Sequence, residues 1–479
     1  MMFLQITTAT SSGFFRRTYE TLQYWDALLV PFYIFIILTC AYILRNIILE
    51  KEDKVVRQFF MWGLMLKMVG AIGLGLVYSF YYAGGDTSIY FSDSLIIHYA
   101  FAQNLNAWWH LMWQDALKID PASYDYQWQM TLRNDPQGFF VDKIVSLVNM
   151  LTFRTYMPSA VIMATLSFTG TWSLYKVLTD IYPELKKQLG YAVFFIPSVF
   201  FWGSGIGKDS ICFGSLGWLT WASYNIFIKQ RKIFYSLVMM AISSYLIAKV
   251  KPYILFSFIP AMAFWVLVEY RQRITNSFFK SLSTPFTIVV AIASGYILLV
   301  KLGDEFSSYS ITNAISTAQS FQDYHTFLAE TANASGYNLG TFDGTITGAL
   351  KMFFPAVNVT LFRPYLWEAS SAIIFVSALE SFGILLFTLS VFFRNGLLKP
   401  FSMIGKKPVI LFAIIFALVF AYAVGFSAYN FGALVRYKIP CLPFFIGAML
   451  MLDYELRKEK REAAEVIRRG GDVFVELQN

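Results

Sequence analysis

Five short polar stretches interrupt an otherwise apolar chain, and each carries residues able to handle a phosphate or a proton. Asp86 lies in YSFYYAGGDTSIY, Lys208 and Asp209 in GIGKDS, and Lys249 and Lys251 in KVKPY. Arg363 and Glu368 lie in FRPYLWE, and Arg436, Tyr437 and Lys438 in YNFGALVRYKIP. Lysine and arginine at helix ends hold a phosphate, arginine in bidentate fashion. A carboxylate beside them can take the proton of an acceptor hydroxyl, and a cation can stabilise a departing phosphate. Gly84 and Gly85 let the backbone turn tightly just before Asp86. Together these are the parts of a sugar transfer from a phosphate-linked carrier. The same residues also have ordinary structural roles. Asp86 can cap a helix, as can Lys208 with Asp209. Lys249 and Lys251 can anchor to lipid headgroups, Arg363 and Glu368 can pair with each other, and Arg436 can snorkel.

The elements that must position these residues follow from composition. The 479 residues are 57% hydrophobic and 14% charged, with a mean hydropathy of +0.53; soluble proteins carry about 25% charged residues. With apolar runs of spanning length, this is a polytopic membrane protein. The net charge of +8 then reads as basic cytoplasmic loops rather than a nucleic-acid surface. The three cysteines sit in or beside apolar runs, against a disulfide or metal framework. The first residues lack a basic segment and a long apolar core, so no cleaved signal peptide is expected. There is no phosphate-binding P-loop, no HExxH and no dinucleotide fingerprint. The three histidines are far apart in sequence; no cofactor is expected, and a divalent metal is left open.

The expected fold is an all-α bundle of about 11 spans, with amphipathic surface helices in the first long outer loop. The spans are 27–49, 58–80, 156–178, 189–202, 211–227, 233–247, 253–268, 285–300, 370–393, 409–427 and 439–452. The corresponding divisions are 1–80 (N-terminal segment and two spans), 81–155 (outer loop with interfacial helices), 156–300 (six-span core), 301–367 (second outer segment), 368–453 (three spans) and 454–479 (charged tail). Residues 1–26 are expected to lie along the interface. Lys67, deep in the second span, needs a partner or water, and Gly63, Gly70, Gly73 and Gly75 around it allow close packing. Five short loops and the tail hold 23 of the 38 Lys and Arg residues, which places them and the C-terminus in the cytoplasm. The polar clusters then fall on the outer side, at span ends.

YNFGALVRYKIPCLPFF resembles the last-span signature of bacterial membrane glycosyltransferases of the GT-C superfamily, those related to protein mannosyltransferases. IPSVFFWGSGIGKDSI, residues 196–211, resembles a segment of the same group, and GGDTSIY resembles its first outer loop. The resemblance implies Asp86 as catalytic base and Arg436 and Lys208 as phosphate-side residues. Asp93 is the candidate for the second acidic residue these enzymes often carry. One departure is an additional span before the Asp86 loop. The implied activity is transfer of a sugar from a polyprenyl-phosphate-linked donor to a glycan, lipid or protein acceptor, at the outer face of a bacterial cytoplasmic membrane. The implied partners are that lipid-linked donor, the acceptor and membrane lipids, with no nucleic acid. The alternatives are an O-antigen or exopolysaccharide polymerase and a non-enzymatic transporter or assembly subunit.

Overall fold

The computed structural model describes residues 22–118, 120–274, 336–340 and 345–476. The first 21 residues, the expected span 285–300 and most of the segment 301–367 lie outside the described residues. Among the described residues the elements are helices, with one isolated β-bridge between Gly336 and Asn430. They are α1 (Tyr24–Ile48), α2 (Lys54–Leu76), α3 (Asp86–Gln103), α4 (Leu105–Trp113), α5 (Tyr124–Gln127), α6 (Pro136–Asn149) and α7 (Tyr156–Ile181). Next come α8 (Lys186–Phe194), α9 (Pro197–Trp202), α10 (Lys208–Ser223), α11 (Ile233–Val250), α12 (Tyr253–Gln272), α13 (Ile346–Lys351) and α14 (Phe353–Phe362). The chain ends with α15 (Ala372–Asn395), α16 (Lys399–Lys406), α17 (Pro408–Ala428), α18 (Phe431–Tyr437) and α19 (Leu442–Glu476).

The chain is a multi-pass, mostly helical membrane protein, but the expectation of about 11 spans is corrected. Among the described residues six helices are long and apolar enough to cross a membrane: α1, α2 with the π-helical turn that extends it to Tyr81, α11, α12, α15 and α17. A seventh forms only if α18 and α19, bent by 62° at their junction, count as one. The physical reasons are local. Pro197 has no N–H to donate and starts a new helix, so the expected span 189–202 divides between α8, of nine residues, and α9, of six. α10 with the π-helical turn that continues it to Lys229 has the length for a crossing, about 20 residues, but glycine, serine and asparagine dilute its apolar character, and it does not join the six. α7 has the length, 26 residues, but serine and threonine recur along it, and it does not join the six.

α7 and α10 form the tightest crossing. A Cβ on Gly170 would lie 1.8 Å from the Gly214 carbonyl oxygen, and one on Gly217 would lie 2.0 Å from that of Gly170. The two backbones touch, as small residues permit in helix packing. α2 uses Gly70 in the same way against the Phe200 carbonyl. Lys67, buried within α2, donates to the Gly203 carbonyl at 2.5 Å and to Ser167 Oγ at 3.3 Å, and lies over the Phe213 ring. α3 and α6 pack face to face around a second, smaller core of Ile97, Leu111, Met130 and Phe139.

Candidate functional site

α2 ends in a sharp reversal. After the π-helical turn, Ala83, Gly84 and Gly85 all have positive φ (53°, 127° and 131°), a region that favours glycine. A Cβ on Gly85 would also lie 2.7 Å from the Tyr78 ring. The reversal makes Gly85 the cap of α3 and Asp86 its first residue. The Asp86 side chain is spent across the fold: Arg436 Nη1 donates to its Oδ2 at 2.9 Å.

Arg436 stands in the last turn of α18, whose start is fixed by Asn430 Oδ1 accepting from the Ala433 N–H. Its Nη1 also donates to Tyr78 Oη at 3.1 Å, and its Nη2 reaches Asp209 Oδ2 at 3.5 Å. The guanidinium lies over the Trp202 ring, 5.6 Å from its centroid. Its Nε is buried with no hydrogen-bond partner among the described residues.

Asp209 lies in the first turn of α10, where the helix dipole favours a carboxylate. Lys251, between α11 and α12, donates to Asp209 Oδ1 at 2.5 Å, and both side chains are only 7% exposed. Burial opposes charge on each, but the attraction between them outweighs it. Asp209 is held below the usual carboxylate range, and the Lys251 ammonium above that of an ordinary lysine. Lys251 also lies over the Tyr437 ring at 4.5 Å. Asp86 and Asp209 thus face Lys251 and Arg436 in one balanced cluster, beside a narrow pocket whose wall includes Leu74, Tyr78, Tyr90 and Trp202. Asp86, 51% exposed, is the cluster's open end.

The remaining sequence candidates are placed elsewhere. Lys208 pairs with Asp135 at 2.8 Å, and Asp135 also caps α6 through the Gln137 N–H. Asp93 is fully buried between α3 and the 131–133 turn, accepting from the Leu132 N–H at 2.7 Å. Lys249 approaches Asp115 at 3.7 Å. Arg363 pairs with Glu368, which also accepts from the Tyr365 N–H, and lies over Phe431 behind the site. Lys438 is buried, donating to Ser381 Oγ at 2.7 Å.

Tyr78 and Trp202 stand in the stretches that the sequence marked out, but their contact with Arg436 has no signature in either stretch. Two further acids were missed. Glu380 accepts from the N–H and Oγ of Ser198 at 2.7 Å each, fixing the start of α9; an acid inside the apolar run of α15 was the available signal. Asp142, on α6, is fully buried and neither oxygen has a hydrogen-bond partner among the described residues. Burial first, and then the neighbouring Asp93 and Asp135, push its carboxyl well above the usual range. Among the described residues no group of three or more His, Cys, Asp or Glu could hold a metal ion.

Fold and site define a multi-pass helical membrane protein with a buried ionic cluster at one end of the bundle. No family model, curated protein or solved structure matches the chain.

Proposed function

We propose that the protein transfers a sugar from a polyprenyl-phosphate-linked donor to a glycan, lipid or protein acceptor, on the outer face of a bacterial cytoplasmic membrane, with its C-terminus in the cytoplasm. The observation that carries this reading is the convergence of Asp86, Asp209, Lys251 and Arg436 where α2 ends. A donor whose tail lies in the bilayer presents its phosphate at such a level. Arg436 is the cation for it: Asp209 anchors one side of the guanidinium, and its Nε is uncommitted. Lys251 contributes indirectly, by holding Asp209 in place.

In the proposed step the acceptor oxygen bonds to the anomeric carbon, and the bond from that carbon to the phosphate oxygen breaks. The electron pair leaves with the phosphate, beside Arg436, and the hydroxyl proton passes to Asp86. Phosphate entry exchanges one Arg436 contact for another and frees Asp86 for the proton. The Tyr78 hydroxyl and the Trp202 face keep the guanidinium oriented during that exchange.

Two variants test the reading. Asp86→Asn is expected to fold and to retain polyprenyl phosphate, yet to lower glycan product per unit of folded protein by about 10²- to 10⁴-fold, the usual worth of a general base. Arg436→Ala is expected to weaken polyprenyl-phosphate retention by the equivalent of about 1.5–3 kcal/mol, one charge-assisted hydrogen bond. Full product from Asp86→Asn with none from Asp93→Asn transfers the base to Asp93. Full product and full retention in all three variants end the enzyme reading.

A further inference from the structure

A second basic site lies away from the Arg436 cluster, where α4, α6 and α11 meet. Lys143 of α6 donates to the Gln114 carbonyl at 2.6 Å, and Lys249, in the last turn of α11, lies 3.7 Å from Asp115. Two lysines from different helices therefore converge on the two residues that follow α4. One carboxylate, Asp115, faces them, and it is 63% exposed and only loosely engaged. Burial pushes the Lys143 ammonium down to about 8, more than Asp115 and Asp142 hold it up, with Lys249 adding to the fall. A cation disfavoured in this way gains from any anion that arrives.

The surroundings say which anion. α11 is one of the six candidate spans, so Lys249 at its end stands at the level of the lipid headgroups. Along the same helix Val238, Ile242 and Tyr245 are exposed, an apolar track running away from Lys249 at steps of three to four residues. On the other side, α4 presents Leu105, Trp109 and Trp113 outward at steps of four, with Trp113 71% exposed, while Ala107 and Leu111 face inward and are fully buried. Tryptophan at this level is the mark of a membrane interface. A free phosphate needs the two lysines and has no use for the apolar track. A phospholipid uses both.

We propose that Lys143 and Lys249 bind the headgroup of an anionic phospholipid whose acyl chain lies along the exposed face of α11, with α4 lying in the interface beside it. The site is independent of the sugar-transfer reading.

The test uses the full chain in nanodiscs of phosphatidylcholine alone or of an equal mixture of phosphatidylcholine and phosphatidylglycerol. Lipid retained after exchange into detergent is quantified by native mass spectrometry. Wild type is expected to keep phosphatidylglycerol in preference to phosphatidylcholine. Lys143→Gln with Lys249→Gln is expected to lower that preference about 30-fold, as for two lysines near an anionic surface. Asp115→Asn, which removes the competing carboxylate, is expected to raise it, and it reports on the site even if the double variant folds poorly. Equal preference in wild type and a folded double variant overturns the proposal, as does an unchanged preference in Asp115→Asn. Release of the lipid by millimolar inorganic phosphate overturns the choice of a lipid over a free anion.

Discussion

At Asp209 two cations converge on one buried carboxylate, Lys251 at 2.5 Å and Arg436 at 3.5 Å. Removing one partner of a buried pair strands the other, at a cost of about 3–5 kcal/mol. Asp209→Asn is therefore expected to lower stability by about that amount, read as a fall in thermal unfolding temperature in detergent. Asp86→Asn, at the exposed end of the same cluster, is expected to stay within about 1 kcal/mol of wild type, as exposed pairs do. An equal loss in both would show that the cluster is a single unit rather than a buried anchor with an open end. Asp142 runs the other way. Its folded-state carboxyl binds a proton more tightly than the unfolded one, so its stabilising contribution is full below about pH 4. That contribution is lost as pH rises through the folded value. Asp142→Asn carries no such penalty. It is expected to unfold at a higher temperature than wild type at neutral pH, with the gap closing near pH 4.

Between elements, the crossing of α7 and α10 is the contact with the least room. Gly170→Ala would drive a methyl group into the Gly214 backbone at 1.8 Å, where no side chain can move aside. The yield of folded protein is expected to collapse. Gly383→Ala, on α15 with nothing within 4 Å of the added carbon, is the control. It is expected to be neutral or to gain about 0.5–1 kcal/mol from helix propensity. If both variants purify alike, the close approach is not structural. The same elements show how much the sequence disclosed. The end of α2 was legible, because an apolar run stops at a glycine pair whose positive φ values the structure confirms. Asp86, Lys251 and Arg436 were expected at one face with Lys208, Lys249, Arg363 and Glu368; the first three meet through Asp209, while the others pair elsewhere. Span number was not legible, because an apolar segment reads alike whether it crosses a membrane or, like α8 and α9, breaks at a proline inside the bundle. The surroundings of Asp93 were illegible for another reason. It follows Asp86 by seven residues and so shares its face of α3, but the 131–133 turn covers that face at Asp93 and leaves it open at Asp86. Periodicity gives the face of a helix and says nothing of what lies against it.

Across the whole molecule ion pairs gather at both ends of the bundle. One end holds the cluster around Arg436 and the Lys208–Asp135 pair. The other is laced by ion pairs from basic loops: Lys176 with Glu52, Lys186 with Asp53, Arg394 with Asp453, and Lys407 with Glu455. Tyr182 Oη donates to Glu455 there, tying the turn after α7 to α19. α2 with its π-helical turn joins the two ends over 28 residues, roughly 42 Å at the helical rise, more than the ~30 Å hydrocarbon core. The ends therefore face opposite sides, and the proposed orientation, which rests on the excess of lysine and arginine in the loops, puts the ion-paired end in the cytoplasm. Single cysteines at Asp125, on α5, and at Lys406, at the end of α16, report on the two sides. Cys40 is exposed and is first replaced by serine; Cys212 and Cys441 are buried. A membrane-impermeant thiol reagent is expected to label Asp125→Cys in intact cells, and Lys406→Cys only after the membrane is opened. Labelling of Lys406→Cys in intact cells, with Asp125→Cys protected, would reverse the orientation. Arg436 and Asp86 would then face the cytoplasm, where nucleotide-activated sugars are available, and the case for a lipid-linked donor would lose its main physical ground.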